Sequence, residues 1–424
     1  MDLRTLKIKF CGILISVVLI ILAARSFLVP ADAEGSEFRI QPAILLGEEY
    51  NDNIFLATEN KSYDYISRVR PSVKVMYSVP LWDWDVIYLY DYRYYARYTD
   101  LNTSQNQSNF LDLKNHTRIK DEYIYLDIKD KYSRESLDLT RDFTQESSFL
   151  NQTDRNILTV DPYFIVRPTS KMTVTTGYTY SNLWYRDPAA INQENNIVYT
   201  GLQQELSRRS ILTAGIRHTQ NRNSVQGYTQ DDVYLGQRYE YEENSTLTGT
   251  IGNSWFNIQG EERITQITWD AKWTHHYSTM MVSFETGLRF VPDPFLILRR
   301  EDRYLATIGR HVERTSFAVS GGLIEYREVK NKNLQDTIYR LTGTISHAIT
   351  TKTKIKLDLT MDRTDDNQAG TSTERYLSVV RLEHQLGETF TLALDYRYTN
   401  VYSKEIYSDN YDNNRFSVEL RKVF

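Results

Sequence analysis

The sequence predicts an all-β fold: a transmembrane, antiparallel, up-and-down β-barrel of about 20 strands (18–20). Three observations carry that expectation. Apolar and polar residues alternate over runs longer than soluble strands, short and long polar connections alternate between those runs, and the chain opens on an export-type apolar segment. With 424 residues, 41% of them hydrophobic, the mean hydropathy is only -0.51. Such an average argues against a bundle of membrane-spanning helices, because beyond the N-terminus no stretch approaches the roughly 20 apolar residues that one helix needs. A barrel escapes the objection, since its strands are polar at every second position.

In chain order, the first element is a predicted secretory signal peptide, residues 1–33. Arg4, Lys7 and Lys9 precede the apolar run "FCGILISVVLIILAA", and "ADA" at 31–33 supplies a small-x-small cleavage site. An uncleaved anchor helix is the rival, disfavoured by Arg25 within the segment and Pro30 after it. Cys11, the only cysteine, lies in this segment, so disulfides play no part in the mature chain, 34–424, which reads as a single outer-membrane β-barrel domain. The formal charge is -5, and no basic excess of the kind used for nucleic acid is present.

Residues 83–100, "DWDVIYLYDYRYYARYTD", show the strand pattern most clearly. Trp84, Val86, Tyr88, Tyr90, Tyr92 and Tyr94 occupy one parity; Asp85, Asp91, Arg93 and Arg97 occupy the other. Successive side chains of a strand point to opposite faces, so this is a ribbon with an aromatic side and a charged side. An Arg or Lys facing lipid at the midplane costs roughly 2–4 kcal/mol, whereas a tyrosine buries its ring and lets its hydroxyl reach the headgroups. The aromatic side therefore faces lipid and the charged side a watery lumen. The same alternation recurs in 64–78, 171–185, 279–290, 353–363 and 389–399.

Short connections such as "PLWD" (80–83), "EENS" (242–245) and "LGE" (386–388) alternate with long ones such as 51–62, 99–108, 185–195, 363–373 and 403–414. That is the pattern of periplasmic turns and extracellular loops, and it yields ten hairpins. Residues 133–156 form either a long loop or a hidden hairpin, and are the first candidate for a loop folded into the lumen. Pro42, Pro71 and Pro162 fall within predicted strands, where local bulges are expected. At the C-terminus "RFSVELRKVF" places Phe416, Val418, Leu420 and Phe424 as a candidate assembly signal, with Lys422 snorkelling.

"GEEYNDNIFLATENKSYDYISRVRPSVKV" (47–75) carries a Tyr-x-Asp-Asn-Ile element ahead of a strand, and resembles the opening of the β-barrel porin type 2 group. "RNILTVDPYFIVRPTSKMTVTTGYTYSNLWY" (155–185) resembles a mid-barrel hairpin of the branch associated with exopolysaccharide and PEP-CTERM loci. The resemblance implies a Gram-negative outer-membrane protein that helps move or retain a surface polysaccharide. Expected partners are outer-membrane lipid and lipopolysaccharide, the barrel-assembly machinery, and exopolysaccharide with its export proteins.

No catalytic constellation emerges. His275 and His276 fall in a predicted turn without other ligands, and "GNSWF" (252–256) has Phe256 where a nucleophile elbow needs glycine. No enzyme activity, cofactor or metal is expected. The candidate lumen-lining residues are Arg68, Arg70, Lys74, Asp91, Arg93, Arg97, Glu285, Arg289, Asp395 and Arg397. They are read either as charge pairs that stiffen a wet wall or as attraction points for an anionic, hydrated polymer. Tyr95, Tyr123, Tyr125 and Tyr163 would offer ring faces for sugars if they point inward. The functional expectation is a conduit for surface polysaccharide or small hydrophilic solutes. The alternative is a structural or adhesive barrel with a plugged lumen and polymer-binding loops; a barrel-embedded hydrolase is a third reading.

Overall fold

The computed structural model describes residues 36–424 except 148, 259–261, 296–297 and 407–408. The predicted signal peptide lies outside the described residues. Twenty strands follow one another along the chain. The first ten are β1 (Glu37–Asn51), β2 (Asp64–Val79), β3 (Trp82–Tyr95), β4 (Ser108–Lys120), β5 (Ile124–Ser136), β6 (Gln152–Thr169), β7 (Met172–Tyr185), β8 (Gln193–Ser207), β9 (Ser210–Asn223) and β10 (Tyr228–Glu242). The second ten are β11 (Ser245–Ile258), β12 (Ile264–Tyr277), β13 (Met280–Val291), β14 (Arg299–Val312), β15 (Thr315–Glu328), β16 (Leu334–Ala348), β17 (Thr353–Asp366), β18 (Thr371–Gln385), β19 (Phe390–Ser403) and β20 (Tyr411–Val423). Each pairs antiparallel with its sequence neighbour, and β1 closes the cylinder against β20 from Ala43↔Val423 to Asn51↔Arg415. Closure leaves no free sheet edge around the wall. The expected strand number and order are present, but the long loop expected at 363–373 is a four-residue turn, 367–370, because β17 and β18 extend through the polar residues on either side.

Directly paired residues share a face, so the register carries the inner and outer assignment from strand to strand. Phe38 pairs with Tyr77, and Tyr77 with Trp84, on the outside; Arg68 pairs with Arg93 on the inside. The outer set is the apolar one, with Ile216, Ile251, Ile267 and Leu341 each more than half exposed, as a lipid-facing belt requires. Strand lengths of 12–18 residues exceed the roughly 9–11 that cross a bilayer. The surplus stands above the membrane and carries the loops.

The prolines behave differently from expectation. Pro42 and Pro71 lie in an unbroken β1–β2 register, and Pro162 in an unbroken β5–β6 register. On the other side, bridges lapse at Arg70–Pro71 between β2 and β3 and at Asp161–Pro162 between β6 and β7, then resume in the same register. A missing N–H removes a rung without inserting a residue, so no bulge forms there. The shift in β6–β7 falls between Val166 and Thr169, beside Pro168 at the turn.

Candidate functional site: a narrowed, charged lumen

The connection between β5 and β6, residues 137–151, folds into the barrel. Its base is closed by the Leu137 N–H donating to the Asn151 carbonyl at 3.0 Å. Short polar side chains hold its shape: Ser136 Oγ donates to the Arg141 carbonyl (2.7 Å), Asp142 caps the 3₁₀ turn Phe143–Gln145 through the Thr144 N–H, and Gln152 Nε2 donates to the Phe143 and Ser147 carbonyls. The tip reaches β18, β19 and β20, five to seven strand positions from β5 around the wall. The contact is therefore made across the lumen. At that tip Glu146 is fully buried. Its carboxylate accepts from Arg141 (Nη2, 2.6 Å), from Arg375 of β18 (Nη1, 2.7 Å) and from the Tyr411 hydroxyl of β20. Arg375 also pairs with Asp362 of β17. Next to Glu146, the Gln145 carbonyl accepts from Arg397 at 2.6 Å and Arg415 at 3.4 Å. Burial alone would raise the Glu146 carboxyl; hydrogen bonding and charge from Arg141, with the charge of Arg375, hold it below the usual carboxylate range. The same pair keeps Arg141 firmly protonated despite its burial.

Beneath the loop, one wall of the lumen is rich in arginine. A cavity of about 570 Å³ is lined by Thr144 of the loop, by Arg68, Arg70, Arg93, Arg381, Arg397, Arg415 and Arg421, and by Glu49, Asp395 and Glu419. Some of these charges are paired. Asp91, just behind, takes Arg93 (2.7 Å) and Arg68 (3.2 Å); Glu49 takes Arg415 (3.0 Å); Asp395 takes Arg381 (2.9 Å). Glu383, on the same inner face of β18, also takes Arg381 (2.5 Å), so seven arginines stand against five carboxylates and leave a formal excess of two positive charges. Arg397 and Arg421 form no ion pair with a carboxylate among the described residues, and Arg70 Nε is buried there without a hydrogen-bond partner. Such a wall can hold and hand on hydrated anions.

The other sequence-derived residues can be placed individually. Arg68, Arg70 and Lys74 on β2, Asp91 and Arg93 on β3, Glu285 and Arg289 on β13, and Asp395 and Arg397 on β19 occupy the inner face, as the register dictates. Arg97 does not. It lies beyond the end of β3, where the buried Asp64 takes the backbone N–H groups of Arg97 (2.8 Å) and Tyr98 (3.0 Å) out of the ladder, and its guanidinium sits over the Tyr63 ring at 3.8 Å. Glu285 and Arg289 stand away from the arginine wall, paired with Arg303 and Glu301. Tyr95 points inward but is covered by the loop, its ring 6.2 Å from Phe149. Tyr123 lies in the β4–β5 turn. Tyr125 and Tyr163 face inward and stack at 5.2 Å. His275 belongs to β12 rather than to a turn, stacked on Tyr241. Phe416, Val418 and Leu420 lie on the outer face of β20, and Lys422 reaches over the Phe390 and Phe424 rings. Sequence reasoning missed Arg375, Arg381, Arg415 and Glu146. Alternation places the three arginines on the polar parity of their strands, but nothing local marks Glu146.

No protein-family model matches the sequence, and no curated protein matches it. Solved structures do resemble it. With a mutant of the ferric enterobactin receptor PfeA from Pseudomonas aeruginosa the TM-score is 0.56 at 8% identity, covering 91% of this chain and 80% of the other. For the FrpB iron transporter from Neisseria meningitidis the values are 0.53 and 8%, covering 91% and 81%. For the siderophore receptor PirA from Pseudomonas aeruginosa they are 0.51 and 10%, covering 91% and 80%. At such identities the likeness concerns architecture alone: this chain has the closed antiparallel β-barrel fold of outer-membrane proteins.

Proposed function

We propose that the protein is an outer-membrane channel for hydrophilic anions, with an acidic surface polysaccharide as the cargo that the sequence resemblance implies. The observation that supports this most is the arginine wall beneath the inward loop. A barrel of this strand number leaves an aqueous bore unless something fills it, and here the loop narrows the bore beside a cavity carrying surplus positive charge. A stiffening network would balance its charges; this one leaves Arg397 and Arg421 without a carboxylate partner among the described residues. Low-dielectric walls focus that field onto solutes entering the narrow part. The outward row of Phe416, Val418 and Leu420 suits recognition by the barrel-assembly machinery, with lipid and lipopolysaccharide around the belt.

The test is conductance of the refolded protein in a planar bilayer under a KCl gradient. Stepwise currents with a reversal potential on the chloride side are expected. A folded barrel that stays silent at every voltage would overturn the proposal and make the protein a structural barrel with a filled lumen. Open steps with cation preference would remove the anionic cargo.

A further inference from the structure

From β5 to β11, the inner face of the lumen carries tyrosines and glycines set among charged groups such as Asp161, Arg217 and Asp232. The register produces two neighbouring rows. In the first, Tyr125 of β5 pairs with Tyr163 of β6, Tyr163 with Gly177 of β7, and Gly177 with Tyr199 of β8. In the second, Gly215 of β9 pairs with Tyr234 of β10, and Tyr234 with Gly252 of β11. Gly177 and Gly215 each serve as a floor for a ring. A Cβ on Gly177 would come within 2.7 Å of Tyr199 Cζ, and one on Gly215 would run into the Tyr234 ring. The rings of Tyr199 and Tyr234 therefore lean along the wall across their glycines. Both are only partly buried. Tyr163 and Tyr125 stack face to face, with an interplanar angle of 17°, and Tyr125 stacks on His116 in turn, so of this pair only Tyr163 keeps a face outside the stack.

We infer that this wall is a saccharide-binding platform, on which the C–H faces of pyranose rings stack while flanking polar groups take the hydroxyls. This rests on the channel reading and adds to it the chemistry of the cargo's backbone. The polar groups are at hand. Asp161 accepts from the Tyr199 hydroxyl at 3.1 Å and from Thr179 Oγ1 at 3.0 Å, and a half-buried carboxylate has further lone pairs to offer a ligand hydroxyl. Tyr234 borders a second cavity of about 400 Å³ together with Arg217, Gln230 and Asp232. Tyr163 and Tyr199 stand in one row two strands apart, about 10 Å, while Tyr234, two residues along β10 from that row, lies about 12 Å from Tyr199. The first spacing is close to the length of a disaccharide, so an extended glycan running around this wall meets both rings of the first row. Flat rings suit a moving ligand, because stacking tolerates sliding more than directed hydrogen bonds do. The arginine wall would meanwhile hold the carboxylates of the same chain.

The test uses neutral cellohexaose, whose sugars expose flat C–H faces and carry no charge, as a blocker of single-channel current. Transient blocks are expected with the wild-type protein. In the double variant Tyr199→Leu/Tyr234→Leu the block dwell time should shorten roughly fivefold to hundredfold, from a few-fold to about tenfold per ring. The variant Tyr199→Phe, which keeps the ring and loses only the hydroxyl, should retain most of the dwell time. Heat-modifiable gel mobility confirms that each variant is folded. Blocks that are absent, or that persist unchanged in the double leucine variant, would overturn the platform while leaving the channel itself intact. A protein without any conductance would instead fail the channel reading first.

Discussion

Replacing Glu146 with alanine should release the inward loop. The carboxylate is fully buried and accepts from Arg141, Arg375 and Tyr411 together. Breaking a buried ion pair on one side costs about 3–5 kcal/mol, because the partner charge is left uncompensated. Here Arg375 keeps Asp362, and Arg141 keeps Tyr411 and the Phe143 ring, so the lower end, about 3 kcal/mol, is appropriate. At about 1.4 kcal/mol per factor of ten, the seated form of the loop loses roughly a hundredfold in population. What still holds it are the Arg397 and Arg415 bonds to the Gln145 carbonyl. Single-channel recording of Glu146→Ala should show a larger or noisier conductance than wild type. Trypsin should also cut after Arg141, whose side chain is only 15% exposed in the seated loop. The barrel itself should unfold at an unchanged denaturant concentration, since no ladder rung is touched. If current, noise and trypsin resistance all match the wild type, Glu146 does not anchor the loop and the reasoning fails.

Acid should do the same to the unaltered protein. The Glu146 carboxyl is depressed in the folded state, so its anchoring is complete above the ordinary carboxylate value near 4.3 and fades as pH falls through the lower folded value. Current noise should rise on moving from pH 7 to about pH 3, and Glu146→Gln should abolish that change. The double variant Arg397→Glu/Arg421→Glu turns the surplus of two positive charges around the cavity into a deficit of two, so the reversal potential in a KCl gradient should change sign. Leu341→Arg, at the centre of the lipid-facing side of β16, should cost roughly 2–4 kcal/mol in guanidinium titrations of the vesicle-inserted protein. Thr342→Arg, one residue on and facing the bore, should cost much less.

The barrel was legible because a period of two is a local property. Each strand declares its greasy parity within its own residues, as Val69, Val73, Val75 and Tyr77 do against Arg68, Arg70, Ser72 and Lys74, and a closed cylinder is the only way to satisfy twenty such strands in lipid. Arg97 marks where this logic overruns. The alternation continues past Tyr95, but Asp64, Asn102 and Gln107 supply side-chain partners to the backbone there and end the ladder. The loop was visible only as an anomaly of length in 133–156. Its destination depends on Arg375 and Tyr411, more than 200 residues away, and no local pattern encodes that meeting. The tyrosine and glycine rows were hidden for a related reason. Tyr163 and Tyr125 could be assigned to the inner face from parity, whereas Gly177 beneath Tyr199 and Gly215 beneath Tyr234 follow from inter-strand register, which single strands do not reveal.

The pairing of β1 with β20 has a consequence for biogenesis. At about 5–20 residues per second, some 370 residues separate synthesis of the two strands, so one flank of β1 waits about 20–75 seconds for its rightful neighbour. A long unclaimed strand flank templates pairing with any other chain. Until β20 is present, the flank of β1 that takes it has no partner strand in the chain, so aggregates of chains truncated before β20 should be seeded from the first hairpin.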